Sequence, residues 1–176
     1  HMASVIGPKF FPASDEYIIH LATLGIFSLS FIARPIGAVI FGIISDKYGR
    51  TIAITRSVLL LTIPTFVVGL LPTYEIIGIF ATIILIIARL LQGICAGAET
   101  SNSSVFLTEH CQKDSTSFGT SMIFFSGGLG CILALLVSLI FLETEYLWGW
   151  RIPFIIGMII GIVILLIRLK INEGFI

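Results

Sequence analysis

The chain has 176 residues, 57% of them hydrophobic and 11% charged, and its mean hydropathy is +1.10. Because a soluble globular domain has about 25% charged residues, this composition excludes an ordinary soluble domain and indicates a membrane protein. The formal net charge at pH 7 is +0, so nothing in it points to a nucleic-acid partner.

The N-terminal residues are less apolar than the chain that follows them. They include Pro8, Pro12, Asp15 and Glu16, which are residues typical of loops. We therefore predict that residues 1–17 form an extracytoplasmic loop, or that they contain the end of a helix cut off upstream.

Five segments then follow that are long and apolar enough to cross a membrane, which takes about 20 residues. Their approximate ranges are 18–44, 52–71, 76–98, 118–142 and 152–169. The third span is expected to continue as an amphipathic helix to about Glu109. Since these runs are too long for barrel strands and do not alternate strictly, an all-α membrane protein with a five-span bundle over residues 18–170 is predicted.

The basic residues of the short connections lie mainly on one side of this predicted bundle. They are Lys47, Arg50, Arg56, Lys113, Arg168 and Lys170. The connections on the other side contain Lys9 and Arg151, the latter near Glu143 and Glu145. Because lysine and arginine favour the cytoplasmic side of a membrane, the first group is predicted to be cytoplasmic.

A short polar segment, Gly42 to Arg50, connects the first two spans. Gly49 permits a turn, and Gly42 is expected to let the helix end lie close to a neighbour. Asp46 can accept hydrogen bonds from a helix N-terminus or from a cation, and Arg50 can pair with Glu109. The segment is interpreted as a conformational latch or, alternatively, as a simple topology anchor. The candidate latch residues are Gly42, Asp46, Lys47, Gly49, Arg50 and Glu109.

Arg34 is predicted to lie near the middle of the membrane, because it is about 18 Å along the helix from Asp46. A buried arginine in a span is costly and should face a polar cavity or a carboxylate. Pro35 follows it and should loosen the helix locally. Arg34 is interpreted either as a ligand for an anionic solute or coupling charge, or as a member of a structural ion pair.

The third span carries several polar residues. Arg89, Gln92 and Glu99 share one helix face, and Asn102 follows Glu99 by one turn. Arg89 and Glu99 are about 15 Å apart along the axis, so each needs a partner on another helix or a solute. A membrane carboxylate is a common means of binding and releasing a proton. Glu99 is therefore a candidate for proton coupling, the alternative being a hydrated residue near the cytoplasmic end.

Two further patterns concern packing and position. The segments Gly93–Gly97 and Gly157–Gly161 are G-x-x-x-G patterns, which let helix backbones approach closely. Trp148 and Trp150 precede the last span, where they fit the aromatic belt of a membrane interface.

The sequence contains no catalytic constellation, since a phosphate loop, an H-E-x-x-H motif and a nucleophile elbow are all absent. The three cysteines, Cys95, Cys111 and Cys131, lack the spacing of metal ligands. We predict that the protein is not an enzyme and that it takes no metal and no cofactor.

Four motifs carry a resemblance to a known family. They are Arg34-Pro35-Ile36-Gly37 with Phe41-Gly42, the segment Gly42 to Arg50, Arg89-Leu90-Leu91-Gln92-Gly93 followed by Gly97-Ala98-Glu99, and Trp148-Gly149-Trp150-Arg151-Ile152-Pro153-Phe154. In this order they resemble the major facilitator superfamily and, within it, the metabolite:H+ symporter branch and its proline/glycine-betaine permeases. The resemblance covers essentially the whole chain.

This resemblance implies part of the N-terminal six-helix half of a major facilitator fold. The spans match the second to sixth helices, and residues 171–176 match the start of the central cytoplasmic loop, so the first helix and the second half are expected to be missing. The parent protein would transport a small zwitterionic or anionic metabolite or osmolyte, such as proline or betaine, by proton-coupled symport in a bacterial cytoplasmic (inner) membrane. The implied substrate and proton-coupling residues are Arg34, Arg89, Gln92, Glu99 and Asn102.

The partners implied by the resemblance are the lipid bilayer, the solute, protons and the second half of the transporter. The chain alone is expected not to transport. One alternative is a dicarboxylate or sugar-acid symporter of the same branch. Another is a non-transporting gene fragment, or a half that assembles with a separately encoded second half. A membrane enzyme is disfavoured because no catalytic constellation is present.

Overall fold

The fold is taken from a computed structural model, which describes residues 2–11, 15–110, 116–142 and 149–173, with side chains for 6–11, 15–109, 116–140 and 149–170. Within these ranges the chain consists of seven α-helices and one turn of 3-10 helix. The elements are α1 (Met2–Phe10), α2 (Glu16–Tyr48), α3 (Arg50–Leu70), α4 (Tyr74–Ile77), α5 (Ile79–His110), α6 (Thr116–Leu142), the 3-10 turn (Gly149–Arg151) and α7 (Ile152–Glu173).

Five of these helices, α2, α3, α5, α6 and α7, are long and apolar enough to cross a membrane. The prediction of an all-helical bundle with five spans is therefore confirmed. With 33 and 32 residues, α2 and α5 are longer than the ~20 residues that a span requires. We call the end that carries Lys47, Arg50, Arg168 and Lys170 the basic end of the bundle.

The polar connection between the first two spans is shorter than predicted. The helix α2 continues to Tyr48, so Asp46 and Lys47 are helical, and Gly49 alone separates α2 from α3. Gly49 has φ 98° and ψ 150°, a conformation that residues with a side chain rarely adopt. Its role in the turn was predicted correctly. The role predicted for Gly42 was wrong, since a Cβ built there meets no atom of the described residues within 4 Å.

Residues 2–10 form α1, so the first alternative predicted for the N-terminus, a loop, is wrong there, whereas the second alternative, a helical segment, agrees with the structure. Pro8 lies inside this helix, so the proline was a misleading loop signal. The helix is held by packing, because Ile6 and Phe10 are fully buried one turn apart. The Thr82 hydroxyl of α5 also donates a hydrogen bond to the Phe10 carbonyl.

Aromatic side chains form the centre of the core at the end opposite the basic end. Trp150 is only 3% exposed and meets Phe10 edge-to-face, with ring centroids 5.7 Å apart, and Phe154 with centroids 6.3 Å apart. The belt position predicted for Trp150 is therefore wrong, because α1 covers the ring. The buried members of this core are Ile6, Phe10, Val68, Leu71, Ala81, Leu85, Ala88, Trp150 and Phe154.

The helices α2 and α5 run parallel and touch along a row of glycines, which we call the glycine seam (Gly37, Gly93 and Gly97). Gly93 lies against the backbone of Ser30, and Gly97 lies against that of Arg34. From the other side, Gly37 lies against the backbone of α5. A Cβ at any of these positions would overlap backbone atoms, so the predicted close approach at Gly93–Gly97 is confirmed.

Several predicted features lie outside the described residues. They are Pro12, Cys111, Lys113, Glu143, Glu145, Trp148 and residues 174–176. The start of the predicted central loop differs from the structure, because α7 continues to Glu173 and residues 171–173 are helical.

The glycine seam leads to a stability prediction. Replacement of Gly97 by alanine should lower the free energy of unfolding by about 1–3 kcal/mol, because the new methyl group overlaps the Arg34 backbone. The measurement is reversible unfolding by sodium dodecyl sulfate in mixed micelles, followed by circular dichroism.

Gly25→Ala is the matched control, since Gly25 lies in α2 and a Cβ there has no atom within 4 Å. It should raise the free energy of unfolding by up to about 1 kcal/mol through helix propensity. Equal stability of the two variants would contradict a close contact at the glycine seam.

Candidate functional site

A cavity of about 410 Å³ with a mixed polar and apolar lining opens between α2, α3, α5 and α7. Its lining residues are Phe27, Ser30, Phe31, Arg34, Leu61, Thr65, Arg89, Gln92, Gly93, Ala96, Pro153 and Phe154. Three of the five residues predicted from the sequence to form the substrate site, Arg34, Arg89 and Gln92, therefore meet in one cavity.

Arg89 is held in place by a short polar chain. Its Nη1 donates a hydrogen bond of 3.1 Å to Gln92 Oε1, and Gln92 Nε2 donates one of 3.0 Å to Thr65 Oγ1. The Arg89 guanidinium also lies 4.4 Å from the ring centroid of Phe27 and 5.6 Å from that of Phe154. These contacts fix the direction of the guanidinium while leaving other N–H groups available to a solute.

Arg34 faces the same cavity from α2. Its guanidinium lies 4.2 Å from the centroid of the Phe31 ring, and its side chain is exposed. Among the described residues, neither Arg34 nor Arg89 forms an ion pair, and no carboxylate lines the cavity. The cavity therefore combines two cations with aromatic walls, an arrangement that suits a small solute with an anionic group.

Glu99 lies outside this cavity and forms an ion pair with α7. The Arg168 guanidinium Nη2 is 2.8 Å from Glu99 Oε1, and the two side chains are only 25% and 32% exposed. Arg168 Nη1 donates a second hydrogen bond to the Ile54 carbonyl of α3. Glu99 was predicted to need a partner on another helix because it lies in a membrane span, and Arg168 is that partner. The sequence showed Arg168 only as a basic residue near a helix end, and helix spacing alone cannot reveal such a distant partner.

Asn102 is also separate from the cavity. It is 2% exposed, and within the described part of the chain its Nδ2 atom has no hydrogen-bond partner. A buried amide without a partner is costly, so this position is a polar weak point in the packing of α5. The polar residues of α5 that were predicted to form one site therefore lie in separate places. Arg89 and Gln92 line the cavity, whereas Glu99 and Asn102 do not.

Arg50 joins three elements at the basic end. Its Nε and Nη2 atoms contact the Glu109 carboxylate at 3.0–3.2 Å, and its Nη1 is 2.8 Å from Asp46 Oδ1. The same Nη1 donates to Ser45 Oγ at 3.1 Å. The predicted Arg50–Glu109 pairing is therefore present. Ser45 was not predicted to belong to this cluster, although its position one turn before Gly49 indicates that it lies near Arg50.

The other predicted latch residues take different positions. The Lys47 ammonium lies 5.4 Å from the ring centroid of Tyr48, and among the described residues it forms no ion pair with Asp46 or Glu109. The first turn of α3 has no side-chain cap, so Asp46 serves the arginine and not the helix N-terminus. Among the described residues, no group of three or more His, Cys, Asp or Glu could hold a metal ion.

Comparison with known proteins places these features in a family. A family model described as "Sugar (and other) transporter" matches residues 8–174. The chain is 37% identical over 177 residues to the proline/betaine transporter of Escherichia coli (strain K12), covering 98% of the chain and 35% of that protein. It is 36% identical to the glycine betaine/proline/ectoine/pipecolic acid transporter OusA of Dickeya dadantii (strain 3937), with the same two coverages.

A further relative is the putative proline/betaine transporter of Staphylococcus aureus (strain COL), which is 35% identical over 180 residues and covers 99% of the chain and 39% of that protein. The chain thus spans little more than a third of the length of these relatives. Among solved structures, it matches the xylose transporter XylE from E. coli in a partially occluded inward-open conformation. The TM-score is 0.80 at 17% identity, over 96% of this chain and 44% of that chain, which supports the fold.

The five spans, the family model and the related transporters together confirm the resemblance found in the motifs. The chain is an integral, multi-pass membrane protein that belongs to the sugar (and other) transporter family of the major facilitator superfamily, with proline/betaine transporters among its relatives.

Proposed function

We propose that this chain forms part of a proton-coupled symporter that carries a small zwitterionic osmolyte, such as proline or betaine, across a bacterial inner membrane. In this proposal a second helical unit completes the solute path that α2, α3, α5 and α7 begin. The observation that carries it is the cavity with Arg34, Arg89 and aromatic walls. The names of the relatives support the choice of solute.

The cavity chemistry matches the two ends of such a solute. Arg89, whose guanidinium is already oriented by Gln92, would bind the carboxylate through two parallel hydrogen bonds. The methyl groups or ring of the solute would lie against apolar residues of the lining such as Leu61 and Pro153. Arg34 would add attraction for the anion from α2.

A dicarboxylate or sugar acid is the second candidate solute, because the cavity has two arginines without a carboxylate partner in its described lining. Two guanidinium groups can bind two carboxylates as well as one. Uptake of radiolabelled proline, betaine and a C4-dicarboxylate by the whole transporter separates these candidates.

The Glu99–Arg168 pair is proposed as the proton-coupling element. A carboxylate held by a cation inside a membrane bundle is a common proton carrier. Protonation of Glu99 would remove its negative charge and weaken the contact of 2.8 Å that joins α5 to α7. Since Arg168 also binds the Ile54 carbonyl, release of Glu99 would change how α5, α7 and α3 are connected.

The Arg50 cluster is proposed as the conformational latch. Arg50 connects the end of α2, through Asp46 and Ser45, with Glu109 at the end of α5. These bonds lie at the basic end, where the halves of an inward-opening transporter would separate. Their making and breaking would favour one conformation over another.

The first functional prediction concerns Arg89. In the whole transporter, Arg89→Lys should reduce uptake of proline or betaine at least about tenfold, because an ammonium cannot form two parallel hydrogen bonds to a carboxylate. The measurement is initial-rate uptake in proteoliposomes with a proton gradient. Lys170→Arg, a basic-end exchange away from the cavity, is the control and should keep the parental rate. Unchanged uptake in Arg89→Lys would contradict a carboxylate-binding role.

The second functional prediction concerns Glu99. Glu99→Gln should abolish proton-driven accumulation while preserving exchange of labelled for unlabelled solute, because glutamine cannot take up a proton. The two activities are measured in the same proteoliposomes. Glu75→Gln, at an exposed carboxylate in α4, is the control. Accumulation by Glu99→Gln at the parental level would assign the coupling to another group.

The third functional prediction concerns the latch. Arg50→Gln removes the ionic contacts to Glu109 and Asp46. It should increase the rate at which a cysteine introduced at Ala96, in the cavity, reacts with a thiol reagent added from the basic side. The labelling rate should rise, because loss of these contacts increases the population of the conformation that is open at the basic end. Glu16→Gln, which breaks the exposed 3.9 Å contact to His20, is the control. Equal reactivity in both variants would leave Arg50 a topology anchor.

A further inference from the structure

Thr65 ends the chain of polar side chains that begins at Arg89, and its hydroxyl has two partners in the structure. Gln92 Nε2 lies 3.0 Å from Thr65 Oγ1, which in turn lies 2.9 Å from the carbonyl oxygen of Leu61 in the same helix. A hydroxyl has one proton to donate and two lone pairs that accept. The direction of the Thr65 O–H bond therefore decides how the Gln92 amide is oriented.

The contact with Leu61 fixes that direction. A carbonyl oxygen can only accept, so two oxygens 2.9 Å apart require the Thr65 proton between them. The lone pairs of Oγ1 are then left for Gln92, which must turn its NH2 group towards Thr65. The amide oxygen consequently faces Arg89, whose guanidinium contains only donors. The chain thus runs in one direction, from the Arg89 guanidinium to the Leu61 carbonyl.

The Thr65 side chain is also in contact with α7. A Cβ built at Gly157 would lie 3.6 Å from the Thr65 Cγ2 methyl, so this methyl group lies close to the α7 backbone. Threonine has two preferred χ1 rotamers in a helix. The one present directs the methyl group towards Gly157 and the hydroxyl towards Leu61. Valine has the same branched shape, so it can take this place without supplying the hydroxyl.

The Arg89 side chain depends on this chain for its direction. Within the described part of the protein, Gln92 Oε1 is the hydrogen-bond acceptor of the guanidinium, and no carboxylate is within ion-pair distance of it. Phe27 and Phe154 contact the guanidinium with their rings. Attraction to a ring face leaves the direction of the individual N–H groups open. That direction is therefore set by Gln92 and, through it, by Thr65.

We propose that Thr65 is a positioning residue of the solute site, which acts through Gln92 to direct the Arg89 guanidinium at the carboxylate of the solute. This inference rests on the proposed function, in which Arg89 binds that carboxylate. Without the Thr65 oxygen, the Gln92 amide is free to turn its NH2 group towards Arg89, where donor would face donor. The guanidinium would then lose its fixed acceptor, and solute binding would include the cost of ordering it.

The test is the concentration dependence of initial-rate proline or betaine uptake by the whole transporter in proteoliposomes. Thr65→Val should raise KM about fivefold, the effect of one hydrogen bond, and leave the maximal rate unchanged, because solute binding alone is weakened. Thr65→Ser, which keeps the hydroxyl, should have the parental KM. In a Gln92→Leu background Thr65→Val should cause no further rise, because the amide through which Thr65 acts is absent.

Thr62→Val is the matched control. The Thr62 hydroxyl donates to the Val58 carbonyl at 2.8 Å, as Thr65 donates within the same helix, but Thr62 does not line the cavity. This variant should keep the parental KM. An equal rise of KM in Thr62→Val and Thr65→Val would show a general effect on α3 and overturn the proposal. A full further rise in the Gln92→Leu background would also overturn it.

Arg89→Lys, assayed in parallel, separates this inference from the proposed function. A large loss of uptake in Arg89→Lys together with a parental KM in Thr65→Val would overturn the role of Thr65 alone. Parental uptake in both variants would overturn carboxylate binding by Arg89, and the role of Thr65 with it. Circular dichroism verifies the fold of every variant. Thr65→Ala, which also lacks the hydroxyl and should show the same rise of KM, replaces Thr65→Val if that variant is unfolded.

Discussion

The close contact between α2 and α5 is the constraint on which the rest of the molecule depends. Because Gly93 and Gly97 have no side chain, the two backbones touch where Ser30 and Arg34 lie on α2. The Ser30 hydroxyl reinforces the contact by donating to the Arg89 carbonyl at 2.9 Å. Arg34 and Arg89 therefore reach one cavity from two helices that form a rigid pair, and their separation is set by backbone packing.

The helix α5 also relates the three proposed functions to one another. Arg89, Glu99 and Glu109 follow at intervals of about 15 Å along its axis. Arg89 lines the cavity, Glu99 contacts α7, and Glu109 contacts Arg50 at the start of α3. Movement of α5 relative to α7 would change the Glu99–Arg168 distance, and its movement relative to α3 would change the Arg50–Glu109 distance. In such an arrangement α5 by itself connects the proposed proton-coupling pair with the proposed latch.

Local sequence signals predicted most of this fold but few of its partners. Hydropathy and the G-x-x-x-G pattern correctly gave the spans and the seam at Gly93, because both depend on residues close in sequence. Pro8 and Trp150 led to wrong predictions, because the residues that bury α1 and the Trp150 ring come from segments distant in sequence. The partnership of Glu99 with Arg168, 69 residues away, required the folded bundle. The prediction for Gly42 failed for the same reason. A glycine in the sequence shows that a close helix contact is possible there, but it does not show whether a neighbouring helix makes that contact.

The parallel register of α2 and α5 limits how the protein can change in length. Inserting or deleting one residue between Ser30 and Gly37 would rotate the rest of α2 by about 100° relative to the seam. Gly37 would leave its contact with Ile94, and a side chain would take its place against the α5 backbone. A substitution changes one side chain of the cavity. An insertion or deletion in this stretch would instead rotate every later residue of α2, including those that bind Arg50, relative to the cavity. The cavity beside the glycine seam therefore tolerates changes of side chain but not a change in the length of α2.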